Sequence, residues 1–448
     1  MKRINYLLLA LLFAFSTVIP PSLFAQEANE VSAVQKDSLI SLIQKKLPGA
    51  KIKAIDVNKP YLYKFEVMVP QQIDHNNAKS ETFNQLVYIS HRGFDCPTVV
   101  VTEGYGADYA EPASYNEELC KILKANLIFV EHRYFGKSKP TPMDYKYLTI
   151  KQAAADHHMI IKRLQSIYPK QWIATGTSKG GSTALYLKAY YPNVVDAVVA
   201  YVAPITNAQE DSRPIDFIIN KAGTAADRKL ITDYQLLMFK HFDDLLSQFN
   251  EYAKKMEFEF SLGNTTTLEY LILEYPFSHW QWGVTSDKIP TKKDDTKTML
   301  DHLIRIVDPS GYSKSGSEAH LSYYYQAYSE VGYYNYNAYI PIFKKYLKLK
   351  SYSNDVLVPK GAKVEYHPES HNEVVELLNK TGVHILQIVG ELDPWRQSAW
   401  IPNDQTELPV FVLKNGNHGV RIAYFDTDTK NKIYDTLELW LGIKVRRL

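Results

Sequence analysis

Short apolar segments alternate with helical segments over residues 83–203, and this alternation constrains the fold more than any other feature of the chain. The apolar segments are rich in β-branched and aromatic residues, which predicts strands, and the segments between them have helical periodicity. In chain order the predicted strands are 83–90, 98–102, 126–131, 172–175 and 194–203, and the predicted helices are 114–125, 149–167 and 180–191. Continuous apolar strands indicate a parallel sheet that helices cover on both faces.

The second half of the chain has a different pattern. Residues 207–378 carry long helical stretches with few strand-like segments, and strands return at 383–389 and 410–413. The simplest interpretation is an α/β core made of residues 26–206 and 379–448, into which 207–378 is inserted as a largely helical cap. Loops at the carboxyl ends of parallel strands surround ligand sites, so we expect the cap to cover a site there.

The first 25 residues have the features of a secretory signal peptide. Lys2 and Arg3 precede an almost unbroken apolar run over residues 7–19, and Ala25 is a small residue before polar sequence. As a helix this run would reach only about 20 Å, which is shorter than the hydrocarbon core of a bilayer. We therefore predict cleavage after Ala25 and an exported protein, periplasmic or extracellular, without a stable membrane anchor.

Composition argues against several other classes of function. The chain has 51 Lys and Arg against 49 Asp and Glu, a balance that gives no electrostatic reason to expect a nucleic acid partner. Phosphate-binding glycine loops, zinc-type cysteine pairs and calcium loops are missing from the sequence, so we predict neither a metal nor another cofactor. Cys96 and Cys120 are the only cysteines, and the sequence leaves open whether they pair or stay free. The oligomeric state is also left open.

The most specific local motif is Gly-Thr-Ser-Lys-Gly-Gly at residues 176–181. It follows a predicted strand and begins a predicted helix, which is the context in which Gly-x-Ser-x-Gly forms a nucleophile elbow. Such a turn lifts the serine hydroxyl clear of the sheet, and the amino terminus of the helix favours negative charge beside it. Ser178 is therefore the predicted nucleophile.

A serine hydroxyl is a weak nucleophile without a general base, and the base needs an acid to orient it. Asp393 and His418 each follow a predicted strand late in the chain, so that the order serine, aspartate, histidine matches this fold. Glu391 is an alternative acid. His371 and His384 are weaker alternative bases, because neither follows a predicted strand.

The tetrahedral intermediate of acyl transfer needs N–H donors for its oxyanion. One predicted donor is the backbone N–H of Lys179, the residue after the nucleophile. The other is expected from the loop at residues 103–106, through Gly104 or Tyr105. The side chain of Lys179 is expected to be solvated or ion-paired.

Several motifs taken together resemble one family of enzymes. They are Thr-Glu-Gly-Tyr-Gly (102–106), Val-Glu-His-Arg-Tyr-Phe-Gly-Lys-Ser (130–138), the elbow (176–181), Ala-Tyr-Val-Ala-Pro (200–204) and Asp-Pro-Trp (393–395). They resemble the secreted bacterial tripeptidyl and prolyl tri/tetrapeptidyl aminopeptidases, which are serine peptidases similar to prolylcarboxypeptidase and dipeptidyl peptidase II. The resemblance implies an α/β-hydrolase fold with a helical cap, and catalytic roles for Ser178, Asp393 and His418. It also implies that His132 and Arg133 are structural.

An aminopeptidase of this kind must bind a protonated amino terminus, for which Glu330 and Glu103 are the candidate carboxylates. A preference for proline requires an apolar slot with aromatic walls, for which we consider Trp395 and the segment Ser278-His279-Trp280-Gln281-Trp282, chiefly Trp280. The tyrosine-rich run at 323–339 either lines the same cleft or packs the cap onto the sheet. The resulting hypothesis is an exported serine exopeptidase that releases tripeptides from free amino termini, with proline at the cleaved position as a further expectation. An exported esterase or lipase on the same scaffold is the alternative, because a fold does not determine the substrate.

Overall fold

The computed structural model describes residues 21–359, 364–403 and 408–448, with side chains from residue 34 onward except that of Ala319. The predicted signal peptide therefore lies mostly outside the described residues, and the predicted cleavage point after Ala25 falls within the first helix. Within the described ranges, no helix has both the length and the apolar character that crossing a membrane requires.

In the described part of the chain, nine strands form one mixed sheet. They are β1 (Lys51–Ile55), β2 (Tyr63–Gln72), β3 (Thr82–His91), β4 (Thr98–Thr102), β5 (Asn126–Val130), β6 (Trp172–Thr177), β7 (Ala197–Tyr201), β8 (Ile385–Gly390) and β9 (Val410–Leu413). Their spatial order is β1-β2-β3-β5-β4-β6-β7-β8-β9. The pairs from β1 to β5 in this order are antiparallel, and all pairs from β5 to β9 are parallel. The parallel sheet is confirmed, whereas β1 and β2 and the antiparallel edge were not predicted.

The helices lie between and around these strands. They are α1 (Pro21–Lys46), α2 (Glu118–Leu123), α3 (Ile150–Leu164), α4 (Lys179–Tyr190), α5 (Arg213–Asn220), α6 (Ala225–Lys240), α7 (Phe242–Lys255), α8 (Gly263–Trp282), α9 (Thr296–Ile306), α10 (Lys314–Ala319), α11 (Leu321–Gln326), α12 (Ile340–Phe343), α13 (Pro368–Thr381) and α14 (Thr427–Leu441).

Helices cover both faces of the sheet. One face packs against α1, α3, α4 and α13 through buried residues such as Ile43, Ile160 and Leu187. The other face packs against α2 and α14, for example through Ile122 and Leu437. Each fully buried aliphatic side chain contributes roughly 1.5–3 kcal/mol, so these two layers hold the central strands in place. The strand order, with the elbow after β6, confirms the predicted α/β-hydrolase fold.

Between β7 and β8 the chain forms α5 to α13. The helices α5 to α9 share a hydrophobic cluster that includes Phe249, Leu271 and Leu303 and extends to Trp395 after β8. We propose that this cluster is the centre of the cap. The packing of α13 favours a cap that ends before Pro368, because Val374 and other residues of that helix belong to the cluster under the sheet. We therefore keep the first boundary of the cap at 206/207 as a proposal. For the second boundary we propose a position before Pro368 in place of 378/379.

Arg133 follows β5 and is completely buried. Its Nε lies 2.7 Å from Asp156 Oδ2 on α3, and its Nη1 donates to the carbonyl oxygens of Ile73 and Tyr147. A buried charge is tolerated when it is paired and hydrogen-bonded, as it is here. These contacts tie three segments of the core together and support a structural role. The ring of His132 is also buried, which lowers its pKa, and its Nδ1 lies 2.8 Å from the Arg133 carbonyl oxygen.

The two cysteines are free thiols. Cys96 is half-buried, while Cys120 is buried in α2 with its Sγ 3.6 Å from the Asn126 carbonyl oxygen. Burial raises the pKa of the Cys120 thiol, which disfavours the reactive thiolate. The structure thus answers the question that the sequence left open.

Candidate active site

Ser178 forms the turn between β6, which ends at Thr177, and α4, which begins at Lys179. Its backbone has φ 56° and ψ −127°, a conformation that residues other than glycine rarely adopt. Surrounding bonds hold it there: the Ser178 N–H donates to the Tyr201 carbonyl oxygen at 2.9 Å, and the Ser178 carbonyl oxygen accepts the Ser182 N–H at 3.0 Å. Strain of this kind is typical of a nucleophile elbow.

Glycines allow the elbow to contact neighbouring backbone directly. A Cβ on Gly176 would lie 2.3 Å from the Gly180 carbonyl carbon, and a Cβ on Gly104 would lie 2.7 Å from the Gly180 nitrogen and from Lys179 Cβ. The loop after β4 therefore rests against the first turn of α4 with no room for a side chain. This contact fixes the predicted oxyanion loop beside the predicted nucleophile.

Replacing Gly104 by alanine should lower kcat by about 10²-fold, because the methyl group must push this loop away from the elbow and any oxyanion donor on it moves too. The matched control is Gly106→Ala, where the nearest atom to the new Cβ, Glu131 Oε2, is at an ordinary 3.7 Å. We expect the control to stay within about threefold of the parent, since no atom has to move. Steady-state kinetics of the two variants test this, and equal activities would contradict it.

Asp393 and His418 meet above the carboxyl ends of β8 and β9. The His418 Nδ1 lies 2.7 Å from Asp393 Oδ2, and both side chains are buried. The other carboxylate oxygen of Asp393 accepts the Trp395 N–H at 3.1 Å. A carboxylate on Nδ1 holds the imidazole in the tautomer that leaves Nε2 free to accept a proton.

Because β6, β8 and β9 run parallel, Ser178, Asp393 and His418 all emerge at the same edge of the sheet. The alternative bases lie elsewhere. His384 precedes β8, at the opposite edge, and its Nδ1 lies 3.0 Å from the Asp196 carbonyl oxygen. His371 is buried in α13, where its Nε2 lies 3.1 Å from the Tyr186 hydroxyl, and burial lowers its pKa to about 4. The geometry therefore favours His418 over both.

The side chain of Lys179 is buried, which corrects the expectation of a solvated or ion-paired group. Its Nζ donates to the Gly104 carbonyl oxygen at 2.7 Å and lies 4.9 Å from the centre of the Phe135 ring. Burial lowers the pKa of Lys179 to about 7, although Glu103 and Glu330 nearby raise it. The Lys179 side chain thus stabilises the contact between the loop after β4 and the elbow.

The predicted oxyanion donors differ in their surroundings. The Lys179 N–H is at the first position of α4, where a helix offers its N–H no partner of its own. The Tyr105 N–H donates to Glu103 Oε1 at 3.2 Å, and Glu103 Oε2 accepts the Tyr109 hydroxyl at 2.5 Å. Burial raises the pKa of Glu103. The Glu103 carboxylate is therefore engaged within its own loop.

Glu330 lies in the helical turn at Ala327–Val331, and its buried side chain reaches the amino terminus of α3. Its Oε2 accepts the Ile150 N–H at 2.7 Å, so this carboxylate caps the helix. Burial raises the pKa of Glu330 to about 7, against the lowering effects of the Ile150 N–H and of Lys179. Both carboxylates that the sequence suggested for amine binding thus hold protein N–H groups in the structure.

Aromatic side chains form a continuous row from the loop after β4 to the loop of Asp393. The ring centroids are 5.5 Å apart for Tyr105 and Tyr323, 5.7 Å for Tyr323 and Tyr333, and 5.9 Å for Tyr333 and Trp395. We call these four residues the aromatic wall. The tyrosine-rich run thus contributes rings between the two loops at the predicted catalytic edge.

The Trp280 ring packs edge to face against the His279 ring at 5.1 Å, and its place in the proline slot stays a prediction. Trp280 is buried in the cap cluster, and a Cβ on Gly223 would lie only 2.3 Å from its ring. Trp282, in the same predicted segment 278–282, has an exposed ring that lies 6.1 Å from the His418 ring, edge to face.

Comparison with known proteins shows the family of the chain. The model of the PS-10 peptidase S37 family matches residues 32–447. The prolyl tri/tetrapeptidyl aminopeptidase of Streptomyces mobaraensis is 30% identical over 93% of this chain and 87% of its own length. The mouse lysosomal Pro-X carboxypeptidase is 32% identical over 30% of this chain and 31% of its own length.

Among solved structures, the proline iminopeptidase of Mycobacterium smegmatis aligns with 83% of this chain and 99% of its own, at 11% identity and a TM-score of 0.40. The resemblance that the motifs indicated is confirmed by the family match and by the Streptomyces relative. The chain therefore belongs to the PS-10 peptidase S37 family and is a serine-type peptidase.

Proposed function

We propose that the protein is an exported serine aminopeptidase that releases short peptides, chiefly tripeptides ending in proline, from free amino termini. The observation that carries the proposal is the 2.7 Å contact between His418 and Asp393 at the sheet edge where the strained Ser178 emerges. The export part rests on the signal-like pattern of residues 1–25.

In the proposed mechanism, Ser178 Oγ attacks the scissile carbonyl carbon while His418 Nε2 takes the hydroxyl proton. The oxyanion forms beside the Lys179 N–H and the loop of Gly104. His418 then donates the proton to the leaving amine as the carbon–nitrogen bond breaks, which leaves an acyl-enzyme on Ser178. A water molecule, deprotonated by the same histidine, hydrolyses the ester and releases the peptide. Asp393 stabilises the imidazolium in both halves of the reaction.

The aromatic wall supports the expected preference for proline. A proline ring has no N–H to recognise, so selection must rely on shape and on apolar contact, which aromatic faces provide. The Trp395 N–H donates to Asp393 at 3.1 Å, and we propose that the ring of this residue contacts the substrate residue next to the scissile bond. The names of both the bacterial and the mammalian relatives also refer to proline.

The experiment is an assay of the mature protein with Ala-Ala-Pro linked to a fluorogenic amine, with the amino terminus free or acetylated. We expect efficient cleavage of the free form and at least about 100-fold slower cleavage of the acetylated form, because a buried ammonium contact is lost. Equal cleavage of both would contradict an aminopeptidase. Hydrolysis of a simple ester with no cleavage of either peptide would favour the esterase alternative.

A further inference from the structure

One face of the helix α8 contacts two loops of the candidate active site. The carbonyl oxygen of Gln281, near its carboxyl end, accepts the His418 N–H at 3.0 Å. One turn earlier, the Phe277 ring packs edge to face against Trp395, with ring centroids 5.3 Å apart. This face of α8 therefore contacts both the histidine loop and the aspartate loop.

Glu274 lies on the same face, because residues at spacings of three, four and seven share one side of a helix. Its carboxylate accepts hydroxyl groups from Ser278 at 2.7 Å, Tyr334 at 2.9 Å and Tyr336 at 2.7 Å. We call these four residues the Glu274 site. All three partners are uncharged, and burial raises the pKa of Glu274 to about 7 despite them. A cation would supply the charge that this carboxylate lacks.

Aromatic rings surround the Glu274 site on the side that faces the loop of Asp393. The Tyr334 ring stacks on Phe277 at 4.1 Å, on Tyr333 at 4.4 Å, and meets Trp395 at 5.4 Å. The site therefore joins the aromatic wall. A carboxylate combined with electron-rich ring faces is the chemistry that binds an ammonium group.

The spacing along α8 also fits the size of a tripeptide. Glu274 precedes Gln281 by seven residues, which corresponds to about 10.5 Å of helix. Three extended residues span about 10 Å. We propose that Glu274 binds the terminal ammonium of the substrate, and that its distance from the histidine loop limits the released peptide to three residues. This inference rests on the proposed aminopeptidase function.

The assignment also follows from where the other carboxylates point. Glu103 accepts bonds within its own loop, and Glu330 caps α3. The cation of Lys179 near both of them lowers their pKa values against the raising effect of burial, whereas the groups that lower the pKa of Glu274 are all uncharged. The three hydroxyls that donate to Glu274 orient its carboxylate without neutralising its charge. A carboxylate has about four acceptor sites, and these hydroxyls occupy three of them. One acceptor position is left for a substrate N–H.

The test compares Glu274→Gln with Glu269→Gln on fluorogenic amides that end in proline and have two, three or four residues, each free and acetylated. Glu269 is a matched control, since it is buried on the same helix and accepts the Tyr352 hydroxyl at 2.7 Å. We expect Glu274→Gln to lower kcat/KM for the free tripeptide about 100-fold, mainly through KM, and to leave the acetylated form unchanged. The preference for three residues should disappear. Glu269→Gln should keep the wild-type preferences.

If a folded Glu274→Gln variant still prefers the free tripeptide over the acetylated one as strongly as the wild type, the assignment is overturned. Equal losses of kcat/KM in Glu274→Gln and Glu269→Gln would overturn it too. If Glu274→Gln does not fold, Tyr336→Phe removes one hydroxyl from the carboxylate with little change of shape. The expected effect is about a tenfold weaker preference for the free amine, and an unchanged preference would overturn the proposal. A wild-type enzyme that hydrolyses only esters would instead overturn the proposed function itself.

Discussion

Replacing Ser178 by alanine should lower kcat for peptide amide hydrolysis by about 10⁴- to 10⁶-fold, because no other group can form the acyl-enzyme at this position. The hydroxyl is held at a backbone conformation of φ 56° that alanine tolerates no worse than serine. We therefore expect the melting temperature to change by no more than a few degrees. Steady-state kinetics and thermal unfolding of the purified variant measure the two effects.

The matched control is Ser182→Ala, one turn further along α4. The Ser182 hydroxyl donates to the Pro204 carbonyl oxygen at 2.7 Å, so its loss should cost about 1 kcal/mol of stability without removing the nucleophile. An active-site fluorophosphonate should label the wild type and Ser182→Ala but not Ser178→Ala. Labelling or near-normal turnover of Ser178→Ala would show that another residue is the nucleophile.

The fold was predictable where local pattern and tertiary environment agree. Strands such as β4 and β7 are buried on both faces, so their sequences are continuously apolar and predict central strands directly. The elbow was predictable for a related reason, since Gly176 is required by contacts with Gly180 and Gly181, within a few residues of Ser178. Strand-to-helix context then selected this motif from chance matches.

The antiparallel edge of the sheet was missed, although β2 carries an alternating pattern of buried and half-buried residues. Polar residues interrupt such a strand, so it lacks the continuous apolar character of a central strand. The pairing of β2 with β3 also depends on contacts between segments that the sequence alone does not place side by side. Partner choice in a sheet is set by the whole fold rather than by either segment.

The carboxylates proposed for amine binding show most clearly which contacts the sequence does not reveal. Glu330 sits in a motif and was chosen for it, yet its carboxylate caps α3. Glu274 lies within an apolar helical stretch, and only the folded chain brings Tyr334 and Tyr336 to it. The use of a buried carboxylate depends on which donors reach it, and those donors are about sixty residues away in sequence.

Asp393→Asn should lower kcat by about 10⁴-fold while substrate binding changes little. The buried Asp393 carboxylate accepts the Nδ1 proton of His418 at 2.7 Å and its other oxygen accepts the Trp395 N–H. An asparagine can keep the Trp395 contact through its carbonyl oxygen, but it then turns its NH₂ group toward Nδ1. The imidazole must move its proton to Nε2, where it can no longer accept the proton of Ser178.

The control for this variant is Glu391→Gln, which tests the alternative acid. Glu391 Oε2 accepts the Asn415 N–H at 2.8 Å at the start of the histidine loop, so it supports the loop without touching the imidazole. We expect Glu391→Gln to keep kcat within about tenfold of the wild type, since a neutral acceptor retains that bond. Pre-steady-state measurement of acylation separates the two variants, because only Asp393→Asn should slow formation of the acyl-enzyme. A larger loss in Glu391→Gln than in Asp393→Asn would transfer the role of orienting acid to Glu391.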